Sequence, residues 1–399
     1  MLASRRIDFR GIVAIDFRGI VAIDFVTFFA FAIWQVLFNN YGRETFGATA
    51  SQIGIIQAVR EVPGLLGFGV GLLAMVTSEL RISTISIAIN GLGLIIAGTA
   101  NSIWMLGVGT LIMSTGFHYF VSANQSLLLN YIRGHESGRL QGVMASWEAI
   151  AGVAGTIVVF LLSFVLGYRG ILVSAGVAFV VTGIVLSFVF KSNRAIGETG
   201  TFSMKKSYWL YYVISFLRGC RRHMFTTFAI FLLVANYKLK IEYTALLFFV
   251  TSAITIVTNK QLGNLTERLG ERFLLAFTSF LLIFIFAGYA YIASLYVLLA
   301  FFVIDSVLFG SGVALNSYIR KIAPKRDLTN ALSIGLTMNH VAAVVIPIAG
   351  GVMWDTLGFR VTFIMGAVIV LADMCFSLLV KPPKNRKSFA EEVVGAERV

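Results

Sequence analysis

Three arginines stand in the middle of an otherwise apolar run: Arg218, Arg221 and Arg222, with His223 directly after them. Their i, i+3, i+4 spacing puts them on one side of a helix. Three guanidiniums on one face suit a carboxylate or a phosphate, which arginine grips through paired hydrogen bonds. The competing reading is internal pairing. Five acids lie in comparably apolar stretches (Asp24, Glu61, Glu148, Asp305 and Asp373) against four arginines, these three and Arg60. Near balance is what internal pairing produces, so both readings stay open.

The acids are placed where they could do work. Asp305 shares a helical face with Gly312 and Asn316, and Asp24 shares one with Thr27, Phe28, Phe31 and Gln35. A carboxyl that alternates between an apolar environment and an arginine partner can take up and release a proton. Proton coupling and static pairing with an arginine are both available to Asp305, whereas Asp24, near the start of its segment, suits a role at the membrane surface. Arg60 and Glu61 are adjacent just before Pro63; neighbours on a helix point about 100° apart, so each is expected to meet a different helix. His118 aligns with Ser122 and Gln125 in a polar stripe that could face a solute or simply pack. Glu148 and the pair Asn339-His340 fall at corresponding places in the two halves of the chain, and Asp373 is expected to be peripheral. Phe31 and Trp34 fit core packing better than a pocket.

Other chemistry is missing from the sequence. Four scattered histidines, no HExxH and two cysteines in apolar runs give no metal cluster, and no GxxxxGK[ST] phosphate loop occurs. No nucleophile and base sit at helical spacing. The expectation is a protein that is not an enzyme and carries no cofactor or metal.

These residues must be positioned by elements of an unusual surface. Of 399 residues, 58% are hydrophobic and 13% charged, with a mean hydropathy of +0.86; soluble domains have roughly 45–50% apolar and about 25% charged residues. The chain reads as an integral membrane protein. Twelve segments long enough to cross a ~30 Å hydrocarbon core fall at 20–41, 52–74, 82–99, 102–130, 141–166, 170–190, 207–234, 243–259, 273–291, 294–318, 329–353 and 359–380. None alternates like a barrel strand, so the fold is all-α. The first is too long for a cleavable signal and lacks its cleavage site. Arg218 to Arg222 lie about twelve residues beyond Lys206, ~18 Å into the seventh segment.

With the N-terminus inside, 23 Lys and Arg fall on the cytoplasmic side and 5 on the outer side, a bias that places both termini in the cytoplasm. The net charge of +13 is thereby explained by topology, and no nucleic-acid partner is implied. The chain divides into an N-terminal segment 1–19, a six-helix bundle 20–190, a polar linker 191–206, a second bundle 207–380 and a tail 381–399. The octapeptide Ile7–Ala14 is repeated letter for letter at Ile15–Ala22; this reads as a recent tandem duplication or an artefact of the gene start rather than an interfacial helix.

A larger repeat relates the halves. Tyr131-Ile132-Arg133 corresponds to Tyr318-Ile319-Arg320, and Gly167-Tyr168-Arg169 to Gly358-Phe359-Arg360, at offsets of 187 and 191 residues. Parallel six-helix repeats with a midplane site are one of the transporter architectures. Between the eighth and ninth segments, Gly263-Asn-Leu-Thr-Glu267-Arg268-Leu-Gly270-Glu271-Arg272 resembles the loop motif G-x-L-x-D-R-x-G-R-R of the major facilitator superfamily. In that family the loop latches the cytoplasmic ends of the halves, with the acid capping a helix and the arginines in the headgroup zone. Thr77-Ser78-Glu79-Leu80-Arg81 is a reduced version in the first half. Pro347-Ile-Ala-Gly350-Gly351 is similar to part of the family's antiporter motif, displaced from the fifth segment to the eleventh.

The resemblance, covering about residues 20–380, implies twelve transmembrane helices in two bundles and alternating access. It also implies a cavity lined by the first, fourth, seventh and tenth helices. The expected partners are a small-molecule substrate, H+ and the lipid bilayer, with the chain monomeric. An anionic or zwitterionic solute is favoured by the arginines; efflux of amphipathic compounds is the alternative if they prove paired. A transporter-like sensor or scaffold is a further class, disfavoured by the short tail. Short connections suggest a multi-pass protein of a prokaryotic inner membrane.

Overall fold

The computed structural model describes residues 17–131, 137–190 and 204–381, and every regular element among them is helical. The first copy of the octapeptide, most of the linker, Ile132-Arg133 and the tail beyond Lys381 lie outside the described residues. Fourteen α-helices follow one another: α1 (Phe17–Asn40, continued by a π-helical turn Tyr41–Thr45), α2 (Ala50–Leu65), α3 (Phe68–Ala74), α4 (Glu79–Gly98), α5 (Ile103–Tyr131), α6 (Ser137–Ser163), α7 (Tyr168–Val189), α8 (Trp209–Ala235), α9 (Ile241–Leu269), α10 (Glu271–Tyr291), α11 (Leu295–Phe309), α12 (Gly312–Ile322), α13 (Lys325–Leu357) and α14 (Phe359–Ser377). Each of the twelve expected segments is occupied by one helix or by a broken pair. Among the described residues nine stretches are long and apolar enough to cross a membrane; α8 has the length but carries three arginines at its centre.

Two segments expected to be continuous are broken. The second divides into α2 and α3 at Leu66–Gly67, just after Pro63, which has no N–H to offer the preceding turn. The tenth divides into α11 and α12 at Gly310–Ser311, where the amides of both residues bond three residues back, to Val307 and Leu308. Glycines at 310 and 312 make this the weakest helical stretch of that segment.

The eighth segment is longer than expected. α9 runs to Leu269, so Gly263, Glu267 and Arg268, read as a loop, are helical. Only Gly270 makes the turn, at φ +83°, a backbone conformation that costs glycine little.

The chain forms two compact units: residues 1–48, 59–199 and 239–252 in the first, and 49–58, 200–238 and 253–399 in the second. In the first, α4 packs against α5 and α7, and α1 against α6. Backbones approach closely there: a Cβ on Gly93 would lie 2.1 Å from the Met113 nitrogen, and one on Gly109 2.4 Å from the Ala97 nitrogen. Small residues at such crossings are how helices associate where solvent and interior are equally apolar. In the second unit α8 packs on α13 and α14, and α14 on α10. The start of α2 belongs to this unit: Ala50 and Ser51 amides donate to the two oxygens of Asp355, at 3.2 and 2.9 Å. An acid from α13 thus caps the N-terminus of α2.

One pairing repeats between the units. Glu79, first residue of α4, accepts a hydrogen bond from Ser126 of α5 at 3.2 Å. Glu271, first residue of α10, accepts one from Ser317 of α12 at 2.6 Å. Both acids are buried. The offsets, 192 and 191 residues, agree with the Gly167/Gly358 correspondence and not with the Tyr-Ile-Arg match.

Candidate functional site

In the second unit, the centre of α8 is a junction of buried charges. Arg221 donates from Nη1 to Asp305 Oδ1 of α11 at 2.8 Å, the two residues being 1% and 5% exposed. Arg218 donates to the Ser311 hydroxyl at the α11/α12 break. Its other terminal nitrogen lies 3.9 Å from Asp373 Oδ2 of α14, and that oxygen also accepts from Ser279 of α10 at 2.7 Å. Two arginines and two aspartates therefore sum to zero within one buried cluster. An ionised group inside a membrane span costs about 2.5–3.5 kcal/mol even on the lenient scale, and pairing is what makes four of them tolerable. Asp373, expected to be peripheral, is 1% exposed; the helix face it occupies, not its position near the chain's last helical turns, decides its role.

Arg222 differs from the other two in exposure. It is exposed, with its guanidinium 4.8 Å from the centre of the Phe309 ring. Arg221 meets the same ring at 5.7 Å. His223 Nε2 lies 3.3 Å from Asn339 Oδ1 of α13, so the Asn339-His340 pair is met by α8.

In the first unit, Arg60 and Glu61 pair directly with each other, against the expectation that adjacent residues cannot meet. The long guanidinium-bearing chain folds back along the helix to reach its neighbour. There it lies 5.6 Å from the Phe31 ring and 5.4 Å from Trp34, a cation–π arrangement. Trp34 is anchored by its indole N–H, which donates to Thr110 at 3.1 Å. His118 Nε2 lies 3.9 Å from the second oxygen of Glu61. Ser114 donates to the Arg60 carbonyl, beside the Val59 carbonyl that Pro63 cannot serve. Gln35 is half-buried on α1, on the side of Phe28 and Phe31.

Asp24 is buried within the protein. It is 3% exposed between α1, α5 and α6, and its Oδ1 accepts from Asn124 Nδ2 at 2.8 Å. Glu148 of α6, half-buried, lies within electrostatic reach of it.

The motif between α9 and α10 is occupied differently from expectation. Glu267, Arg268 and Arg272 are exposed, and the engaged acid is Glu271, bonded to Ser317 and paired with Lys321. Serines at 279, 311 and 317 and Asn124 complete the clusters; as single neutral residues in apolar helices they carried no sequence signal.

Buried, internally neutral ion pairs within bundles of long apolar helices are the features of a polytopic helical membrane protein. The sequence matches the family model of the Major Facilitator Superfamily over residues 23–318 and 211–396, and the chain belongs to that family. It is a membrane transport protein and not an enzyme.

Solved structures of similar fold include a bacterial homologue of the human lysosomal transporter Spinster in an inward-facing, occupied conformation (TM-score 0.74, 14% identity, 91% of this chain and 96% of that one). They also include the nucleoside transporter NupG in a D323A mutant (TM-score 0.75, 14% identity, 90% and 98%). No curated protein matches the sequence.

Proposed function

We propose that the protein is a secondary active transporter of a small organic solute, working by alternating access and driven by a proton gradient. Its moving bodies are the six-helix bundles 20–190 and 207–380, twelve spans in all, with both termini in the cytoplasm of a cell whose inner membrane it crosses as a monomer. The solute is uncharged or amphipathic rather than anionic. The observation that carries this choice is the charge balance around both buried α8 arginines: Arg221 is hydrogen-bonded to Asp305, and Arg218, bonded to Ser311, has Asp373 3.9 Å away. A guanidinium already neutralised by an internal carboxylate has little to offer an anion, since the anion must displace an equal charge. Phe117, which meets Phe28 edge-on and stacks on Phe31 beside Arg60, forms with them an aromatic stripe that supplies apolar area for a ring-bearing solute, and the nucleoside carried by one fold relative is a solute of that kind.

The test is a ligand-stabilisation screen of the purified protein with mono- and dicarboxylates, phosphates, nucleosides and amphipathic cations, run beside Arg221→Gln and Arg222→Gln. Stabilisation by nucleosides or amphipathic compounds, with no response to carboxylates or phosphates, is expected. Anion stabilisation that disappears in either variant would restore the anionic substrate.

A further inference from the structure

α10 and α14, which pack together in the second unit, carry an open groove of about 450 Å3 on their outer side, at the end where α10 begins. Phe273, Phe277 and Phe280 form its wall on α10, with the buried Ala276 between them; these four stand at i, i+3, i+4 and i+7, on one helix face. Phe273 and Phe277 stack with ring centres 5.5 Å apart, and all three rings are half-exposed. Met374 and Leu378, one turn apart on α14, form the other wall. Both helices are long and apolar enough to cross a membrane, so hydrocarbon is what meets such a face.

This apolar groove carries one charge. Arg272 also lines it; it is exposed, and its guanidinium has no ion pair or hydrogen-bond partner among the described residues. The adjacent acid, Glu271, is buried and held by Ser317 and Lys321. The other exposed charges where α9 meets α10 are Glu267 and Arg268, and the exposed Lys381 follows Leu378 by three residues, so the balance at this end is positive. α10 has 21 residues, a length of about 31 Å that matches the hydrocarbon core and leaves Arg272, its second residue, at the headgroup level. From there to Phe280 the helix descends about 12 Å into the acyl-chain region.

We propose that this groove binds an anionic phospholipid, with the phosphate on Arg272 and an acyl chain along Phe273, Phe277 and Phe280. Arginine meets a phosphate through two parallel N–H donors, and basic pockets between membrane helices suit such headgroups. A zwitterionic lipid offers the same phosphate but brings its own cation, which competes with the guanidinium. A free anion fits poorly, because every other side chain lining the groove is apolar. In the topology proposed above this end of α10 is cytoplasmic, so the lipid is drawn from the inner leaflet; binding in detergent involves no leaflet and stands or falls apart from that topology.

Native mass spectrometry of the purified protein in detergent counts what stays bound. Offered phosphatidylglycerol and phosphatidylcholine of the same acyl chains, the wild type is expected to hold the first roughly fivefold more tightly, the effect of one cation on an anionic headgroup. Arg272→Gln is expected to erase that preference and Arg272→Lys to keep most of it. Phe277→Ala is expected to weaken both lipids and leave the preference. Arg320→Gln removes an exposed arginine at the same end of this unit, beside the Lys321 that pairs with Glu271, and is expected to change nothing. No preference in the wild type, equal loss in Arg320→Gln and Arg272→Gln, or unchanged retention in Phe277→Ala overturns the site. Displacement of the lipid by inorganic phosphate overturns it in favour of a free-anion site, and a second copy of the chain held in place of lipid overturns it in favour of a protein interface.

Discussion

The guanidinium of Arg221 and the carboxylate of Asp305 are 2.8 Å apart and almost wholly buried, on helices that meet in the core of the second unit. Removing one partner leaves the other charged and alone. Arg221→Gln or Asp305→Asn is expected to cost about 3–5 kcal/mol, while the double variant recovers a substantial part of that loss. Unfolding followed in detergent for the four members of the cycle checks it. Additive losses in the double variant would show that the pair is not coupled.

Two glycines separate close packing from mere helix position. A Cβ on Gly54 of α2 would lie 2.1 Å from the Pro347 carbonyl oxygen of α13, a contact no rotamer relieves because both atoms are backbone-fixed. Gly54→Ala is expected to lower the thermal midpoint sharply. Gly263, by contrast, is helical with nothing within 4 Å of its would-be Cβ. Gly263→Ala is expected to stabilise by about 0.5–1 kcal/mol through backbone entropy alone.

The acid that holds the start of α10 is Glu271, not Glu267. Glu271→Ala removes the bonds to Ser317 and Lys321, for an expected loss of about 1–3 kcal/mol. Glu267→Ala changes an exposed side chain and is expected to stay within about 0.5 kcal/mol. Equal losses in the two would restore the loop reading of Glu267.

Asp355 accepts from the first two amides of α2. Asp355→Ala is expected to cost about 0.5–2 kcal/mol, the usual loss of an N-cap. Hydrogen exchange should quicken first at Ala50 and Ser51. Unchanged protection there would show that the cap is dispensable.

Much of the architecture was legible because lipid imposes one simple rule. Long apolar runs must be helices, and all twelve runs are met by helices. The breaks were harder to read. Pro63 announces one in its covalent structure, but Gly310-Ser311-Gly312 could have remained helical, and Arg218 reaches the hydroxyl at that break from a helix some 90 residues away in sequence. The site was legible as residue types and not as pairs. Spacing grouped Arg218, Arg221 and Arg222, yet which of them is buried depends on the helix's rotation against α11 and α14. Arg60 and Glu61 were kept apart by their Cβ directions, a rule that long side chains escape. Asn124 and Ser279 are neutral, and nothing short of tertiary contact marks them.

The central claim is that protons drive a small organic solute across the membrane. The most direct measurement reconstitutes the protein in vesicles holding a pH-sensitive dye and adds a solute identified by the stabilisation screen. A change in lumenal pH that accompanies solute entry and is abolished by a protonophore is the predicted result. Solute movement at the same rate with no change in lumenal pH would contradict it.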